Sequence, residues 1–552
     1  MKKIFTFVLT AAVIFTALGC GGTREGTSPS GGSKTLRFSY AGDPITLDAS
    51  KVVDNLSTIA LYYSQTMLMR QIGDVYEPDG AVSMDLSNDG LTVTFTIRDG
   101  LVWADGTPLT AEHYAYSLTR RLDPNTGFAG ANRYYPIRGA EEFNMGRGSV
   151  EAVGVSAPDA KTLVIELYRH APTFYDELKG LMPIRADICA RYGESYGSSV
   201  DAYLSSGPYI LTSWEYQQSL TFVKNDSFWN AENVNITELR WVTVIDTNAT
   251  VNLFEAGELD QFLVNDEMTF NRYPDAVKGS FVQSGGNFLQ FNFGNQANPV
   301  AGRVLENRNF RLALSYALDR KPLVNALRFS NEADERLVIP VTPTVNGTWG
   351  ETYRYTANPV NADPVKAKEY LDAAFRELGI SSASNLPRFT FVLFDNPLYR
   401  SYSEAMVDAW ERVLGITGFD ITVLPIPQAI ERCMSGQFDI YITGLTRTAD
   451  PYVFYQMLAV GGVANWGEWK AMYEFTDMLE ATNTIFDEKQ RQDALFECEK
   501  FFDEHGYVLP LWAYGGKYLV RPEVKLTGHT VSAYYYPNIQ FVYADVAPDA
   551  ER

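Results

Sequence analysis

Between Asp363 and Ile442 the apolar residues switch between helical and strand spacing in an unbroken series, and that series narrows the fold more than any other feature of the chain. Asp363-Pro364 opens a helix with Ala367, Tyr370, Leu371, Ala374, Phe375 and Leu378 on one stripe and Gly379 as its stop. Arg388 to Asp395 reads as a strand. Ser403 to Leu414 reads as a helix through Met406, Ala409, Trp410, Val413 and Leu414, with Gly415 placed for its C-terminal cap. Phe419, Ile421 and Val423 alternate as a strand, a short helix spans about Gln428 to Met434, and Phe438 to Ile442 reads as a buried strand. Strands separated by helices predict a parallel sheet covered on both faces, because parallel neighbours need long crossovers. The expected class is therefore α/β.

Earlier in the chain Val93, Phe95 and Ile97 alternate with threonines, and Asp99-Gly100 marks a turn. Thr110 is placed to cap a helix with Ala111, Tyr114, Ala115 and Leu118 on one face, ending before Pro124. From Lys34 onward there is neither a low-complexity segment nor a fixed repeat, so the remainder reads as one globular assembly. With 552 residues, 46% of them hydrophobic, the chain can bury a large core and divides into two to four domains.

The first residues differ in kind. Lys2 and Lys3 precede an apolar run from Ile4 to Leu18, small residues and Cys20, the layout of a secretory signal. That run is shorter than the ~20 residues a membrane span needs. Ala17-Leu18-Gly19-Cys20 resembles a lipobox, with Ala17 where leucine is usual; the resemblance implies acylation of Cys20. Residues 1–20 are thus expected to be a signal peptide and 21–34 a tether. Its Gly, Ser and Thr cannot bury enough surface to fold, and such a coil spans about 20 Å. Cys189, Cys433 and Cys498 are odd in number and widely spaced, which argues for buried small hydrophobes and against a disulfide framework or metal site.

A formal charge of -21 excludes nucleic acid as a natural partner, since phosphate backbones are bound by clustered Lys and Arg. Gly193-Glu194-Ser195-Tyr196-Gly197 fits the GxSxG spacing of a hydrolase nucleophile, but no clear strand precedes it. The four histidines, His113, His170, His505 and His529, are scattered, which gives a catalytic triad or a zinc site no support. There is no GxxxxGK[ST] loop, and nothing calls for a cofactor or metal. The chain is read as a non-enzyme.

The run from Asp89 to Ala111, with Asp89-Gly90-Leu91-Thr92 at its start and Trp103-Ala104-Asp105-Gly106-Thr107-Pro108-Leu109-Thr110-Ala111 at its end, resembles the signature of the family 5 extracellular solute-binding proteins. Further matches are Leu47-Asp48, Gly207-Pro208-Tyr209, Lys224-Asn225-Asp226-Ser227-Phe228-Trp229, Arg311 through Arg320, and Leu509-Pro510-Leu511-Trp512. The resemblance implies a two-lobed, periplasmic-binding-protein-like body of three domains with a ligand cleft between the lobes. Domain I would comprise 35–77, 205–303 and 522–552, domain II 78–204, and domain III 304–521. It implies a monomer that captures a peptide or related small solute outside the cytoplasm, held to a membrane only by lipid on Cys20, and passes it to the permease of an ABC importer. A ligand-presenting surface lipoprotein, acting as sensor or adhesin, has the same body and is the alternative.

In peptide binders of that family a Trp and an Asp after a Phe-Asp strand clamp the ligand's start, the carboxylate pairing with its ammonium. Here Leu445 stands at the Trp position, and Arg447 or Thr448 at the Asp position, in Leu445-Thr446-Arg447-Thr448-Ala449-Asp450-Pro451. An ammonium buried beside Arg447 without a carboxylate costs on the order of 2 to 5 kcal/mol. Asp450 either takes over the pairing or is a turn residue before Pro451. Asp43 occupies a position near the ligand backbone, with a simple turn as the plainer reading. Tyr134 and Tyr135 stand where a lid tyrosine is expected, one facing in and one out. Trp512 and Tyr514 line the pocket or belong to the core.

Overall fold

The computed structural model describes residues 33–52, 54–72, 75–264, 267–295, 297–320, 362–395, 397–446, 451–462, 464–466, 472–525 and 541–546. The expected α/β series is present. Asp363 accepts a hydrogen bond from the Lys366 amide to open the helix Pro364–Leu378, and Gly379 closes it at φ 70°. The strand Phe389–Phe394 lies between two parallel neighbours, Phe419–Leu424 and Ile440–Thr446. The helices Pro397–Leu414 and Ile426–Met434 form the crossovers. The first of these helices begins six residues before the apolar stripe at Ser403, because a proline in the first turn has its φ already set and needs no amide donor.

Asp439, next to the last of these strands, fixes their ends. Its buried carboxylate accepts from the Thr390 amide at 2.7 Å, Asn295 Nδ2 at 2.6 Å and Asn298 Nδ2 at 3.2 Å. Burial raises its pKa above the usual aspartate value, and these three donors work against that rise.

These strands belong to a ten-stranded sheet. Its order is Phe419–Leu424, Phe389–Phe394, Ile440–Thr446, Val277–Phe291, Val508–Val520, Gln261–Val264, Thr35–Tyr40, Glu238–Thr243, Ser219–Lys224 and Tyr209–Glu215. Two strands, of 15 and 13 residues, are much longer than the rest and stand side by side in the middle. Together they reach two different cores. Phe288, Leu289 and Phe291, with Val508, Leu509 and Leu511, pack around Phe391, Trp410 and Phe475. Val520 packs instead around Phe38, Tyr63 and Trp241. The sheet is thus one hydrogen-bonded surface shared by two separately packed lobes, joined through a pair of strands.

A third core sits on a separate antiparallel sheet of Ala81–Leu86, Thr92–Ile97, Thr162–Glu166 and Val155–Asp159. Val93, Phe95 and Ile97 face it, as their alternation predicts, together with Tyr114 and Leu118 of the helix Ala111–Leu122. That helix starts after Thr110, whose amide donates to His113 Nδ1 at 3.0 Å. Met182, Ile184, Cys189, Tyr196 and Tyr203 pack with Phe38 and Trp241. Among the described residues no helix is long and apolar enough to cross a membrane. Cys189, Cys433 and Cys498 are free and buried.

The GxSxG run follows a helix, Ala186–Tyr192, and Ser195 lies in a single 3-10 turn. A nucleophile elbow requires a strand there. Its last glycine serves packing: at Gly197, φ +77°, a Cβ would lie 2.2 Å from the Asp48 amide nitrogen. Asp48 in turn accepts two hydrogen bonds from Arg120, at 2.7 and 2.8 Å, tying the helix Ala111–Leu122 to the lobe beneath it.

Candidate ligand cleft

The two long strands are irregular where they pass from one lobe to the other. Val282 pairs with Gly515 and Gly286 with Ala513, so three residues of one strand stand opposite one of the other. A second slip separates the pairs Asn287–Trp512 and Phe288–Pro510. Extra residues of this kind bend a strand and break its ladder, and glycine inside a strand leaves room for a close backbone approach. Gly285, Gly286, Gly515 and Gly516 all lie at the first slip.

On the far side of Val277–Phe291, Gly285, Gly286 and Asn287 pair with Thr446, Leu445 and Gly444. One row across the sheet is therefore Leu445, Gly286 and Ala513, and the next is Gly444, Asn287 and Trp512. Leu445 and Trp512 thus stand in neighbouring rows of the sheet, one strand between them, although they are far apart in sequence. Thr446 ends a strand parallel to Phe389–Phe394, and the strand order reverses between these two. Open α/β sheets bind ligands in the crevice beyond the carboxyl ends at such a reversal. Asn287 is buried there, and its Oδ1 accepts from the Tyr399 hydroxyl at 3.2 Å. Tyr399 reaches it from the first turns of the helix Pro397–Leu414 and packs on Phe394, ring centroids 5.9 Å apart.

The remaining sequence candidates are placed as follows. Asp43 is committed to its own chain: one carboxylate oxygen accepts from Thr243 Oγ1 at 2.6 Å, and the other from the Gln217 amide at 2.7 Å and Trp214 Nε1 at 3.2 Å. It clips the hairpin of Tyr209–Glu215 and Ser219–Lys224 to the strand Glu238–Thr243. Tyr134 is 1% exposed, and its hydroxyl accepts from Arg121. Its ring packs edge-on against Phe174 at 5.7 Å, and burial raises its pKa. Tyr135 is half-buried and donates to Asn144 Oδ1 at 2.8 Å. Both tyrosines pack with the core of the four-stranded sheet, Tyr134 within it and Tyr135 at its edge. Trp512 and Tyr514 lie in the strand Val508–Val520. Cys20, Arg447, Thr448 and Asp450 lie outside the described residues.

The model of the bacterial extracellular solute-binding proteins, family 5 (middle region), matches residues 75–466. The chain belongs to this family. It is 30% identical over 533 residues to the oligopeptide-binding protein OppA of Bacillus subtilis, covering 93% of this chain and 95% of that one. It is 25% identical to the dipeptide-binding protein DppE of the same organism, covering 95% and 96%. Among solved structures, the unliganded open form of the murein tripeptide-binding protein MppA superposes with a TM-score of 0.74 at 21% identity. That match covers 95% of this chain and all of the other.

The two-lobed fold is therefore that of a family 5 solute-binding protein. Within it, Asn287 and Tyr399 are the residues sequence reasoning missed. The signal for Asn287 was a lone carboxamide after two glycines in Gly285-Gly286-Asn287, inside a run otherwise rich in strand formers.

Proposed function

We propose that this protein captures peptides outside the cytoplasm between its two lobes and delivers them to the permease of an ABC importer, without altering them. The observation that carries the reading is the glycine-lined slip in the two crossing strands, at the carboxyl end of Ile440–Thr446. The ladder between the two strands is interrupted there, which in this reading frees main-chain groups for an extended ligand, and a peptide is recognised largely through such main-chain pairing. The relatives named above are binding proteins, which supports capture over catalysis.

The ligand-facing set in this reading is Leu445, Thr446, Arg447, Thr448, Asp450, Trp512 and Tyr514, joined by Asn287 and Tyr399. Asp43 and Tyr134 serve it from behind, as supports. Signal peptide, acylation of Cys20, a monomeric state and the three-domain division are parts of the same proposal.

Titration calorimetry of the mature protein against mixed-sequence peptides tests it. Micromolar binding, about -8 kcal/mol, is expected for peptides that a closed cleft can enclose. N-acetylated peptides bind as well as free-amine ones, since Arg447 or Thr448 stands where a clamping carboxylate is usual. Absence of binding across peptide lengths, with no peptide found by native mass spectrometry of the purified protein, overturns the reading.

A further inference from the structure

Away from the crossing strands, the lobes touch at a second place. The segment after the strand Thr162–Glu166 is held by backbone bonds from Leu167 to Leu91, 2.7 Å, and from Tyr168 to Pro136, 3.1 Å. Both partners belong to the body built around the four-stranded sheet. His170 projects from this segment. Its ring lies over Gly90, where a Cβ would come within 2.5 Å of His170 Cδ2, and beside Tyr175, with centroids 6.0 Å apart.

The other side of the same ring meets the opposite lobe. His170 Nδ1 lies 2.9 Å from the Asn483 carbonyl oxygen, and the ring packs on Phe486 with centroids 4.1 Å apart and planes 30° apart. Asn483 and Phe486 flank the turn between the helices Tyr473–Ala481 and Glu488–Glu504, whose Phe475, Leu479 and Phe502 lie in the core around Phe391. Phe486 is 61% exposed, so its ring adds little to its own lobe's core.

We infer that His170 is a positioning residue for capture, clasping the turn at Asn483–Phe486 and holding the cleft shut at its rim. Behind the clasp, its turn is tied to a neighbouring helix of the same lobe. Asn483 Nδ2 donates to Glu480 at 3.3 Å, and Glu480 accepts from the Tyr452 hydroxyl at 2.7 Å. Tyr452 opens the helix Pro451–Leu458, directly after the segment that starts at Leu445 and Thr446. The clasp favours the state in which the ligand is enclosed. The element on which the clasp acts is the lobe pair, which can be open or closed.

The inference rests on the two-lobed fold and does not depend on which solute fills the cleft, so its test is made without ligand. Spin labels on Glu151→Cys and Glu411→Cys, both exposed and on opposite lobes, report the lobe separation by pulsed electron resonance. One hydrogen bond and one ring contact together shift the closed-to-open ratio about tenfold. Phe486→Ala, an exposed and structurally mild change, should lengthen the distances by that shift. His170→Ala should do the same, and the double variant should go little further than either. Unchanged distances in Phe486→Ala, or effects that simply add, overturn the clasp. Loss of peptide binding with unchanged distances does so too.

Discussion

Arg70 and Arg311, one in each lobe, are buried by different means. In the N-terminal lobe Arg70 is almost fully buried against a carboxylate: Nε donates to Asp79 at 3.0 Å, and Nη2 lies 2.8 Å from the same oxygen. The Tyr62 and Gln65 carbonyls take other protons, at 2.6 and 2.7 Å. Burial works against the charge, but Asp79, with Tyr62 and Tyr543, offsets it, and the pKa of Arg70 stands above the ordinary value. In the C-terminal lobe Arg311 donates instead to four backbone carbonyls, those of Gly506, Leu305, Glu306 and His505, between 2.6 and 2.7 Å. It also stacks on Phe293, 4.6 Å from the ring centroid. Burial dominates there and lowers its pKa to about 9. A carboxylate stabilises the charge itself, whereas carbonyls satisfy its donors while the charge is still desolvated. The first arrangement is vulnerable at its partner, the second at the arginine.

The sharpest way to break this contrast is Asp79→Ala. It strands the Arg70 charge and also leaves Trp229 Nε1, 2.7 Å from Asp79, and the Met67 amide, 3.0 Å away, without their acceptor. Removing one member of a buried pair costs about 3–5 kcal/mol. Urea unfolding should show a loss in that range. Replacing Arg70 and Asp79 together by Met and Leu should cost clearly less than Asp79→Ala alone. Equal losses would mean that the pair is not what stabilises this corner.

Arg311→Met should have the next largest effect, about 2–3 kcal/mol, because carbonyls tolerate a missing donor better than an isolated charge tolerates a missing partner. Arg311→Lys should recover less than half of that loss, since an ammonium cannot reach four carbonyls that a planar fork spans. Full recovery in the same unfolding measurement would show that charge, and not geometry, is what the four carbonyls select.

The contrast also bears on what the sequence disclosed. The α/β series from Asp363 was legible because each element keeps one partner face along its length, so its period is unbroken. The crossing strands were not. Val277–Phe291 and Val508–Val520 pair with each other but slip twice in register, each has another partner over only part of its length, and Gly285, Gly286, Pro510, Gly515 and Gly516 interrupt any alternation. The residues that read worst as strand are those at the slips. Asp43 failed as a pointer to ligand for a different reason. A carboxylate before a proline looks the same whether it faces a ligand or its own chain, and only the fold brings Thr243 and Trp214 to it.

The smallest expected effect concerns His113, a half-buried ring of the N-terminal lobe. His113 Nδ1 accepts from the Thr110 amide at 3.0 Å, a bond that only the neutral ring can make. Burial, helped by the nearby Arg185, lowers the pKa of His113 below its ordinary value. The unfolded chain therefore takes up a proton at about pH 6.5 while the folded chain does not. Stability from this group is complete above that pH, and it falls as pH drops from 6.5 toward the folded pKa. His113→Gln, which keeps an acceptor at the helix start, should flatten that slope by under about 1 kcal/mol without moving stability at pH 8 much. An unchanged slope between pH 7 and 5 in His113→Gln would place the acid sensitivity elsewhere. It would also leave the helix Ala111–Leu122 anchored by Arg120 and Asp48, a paired arginine of the same kind as Arg70.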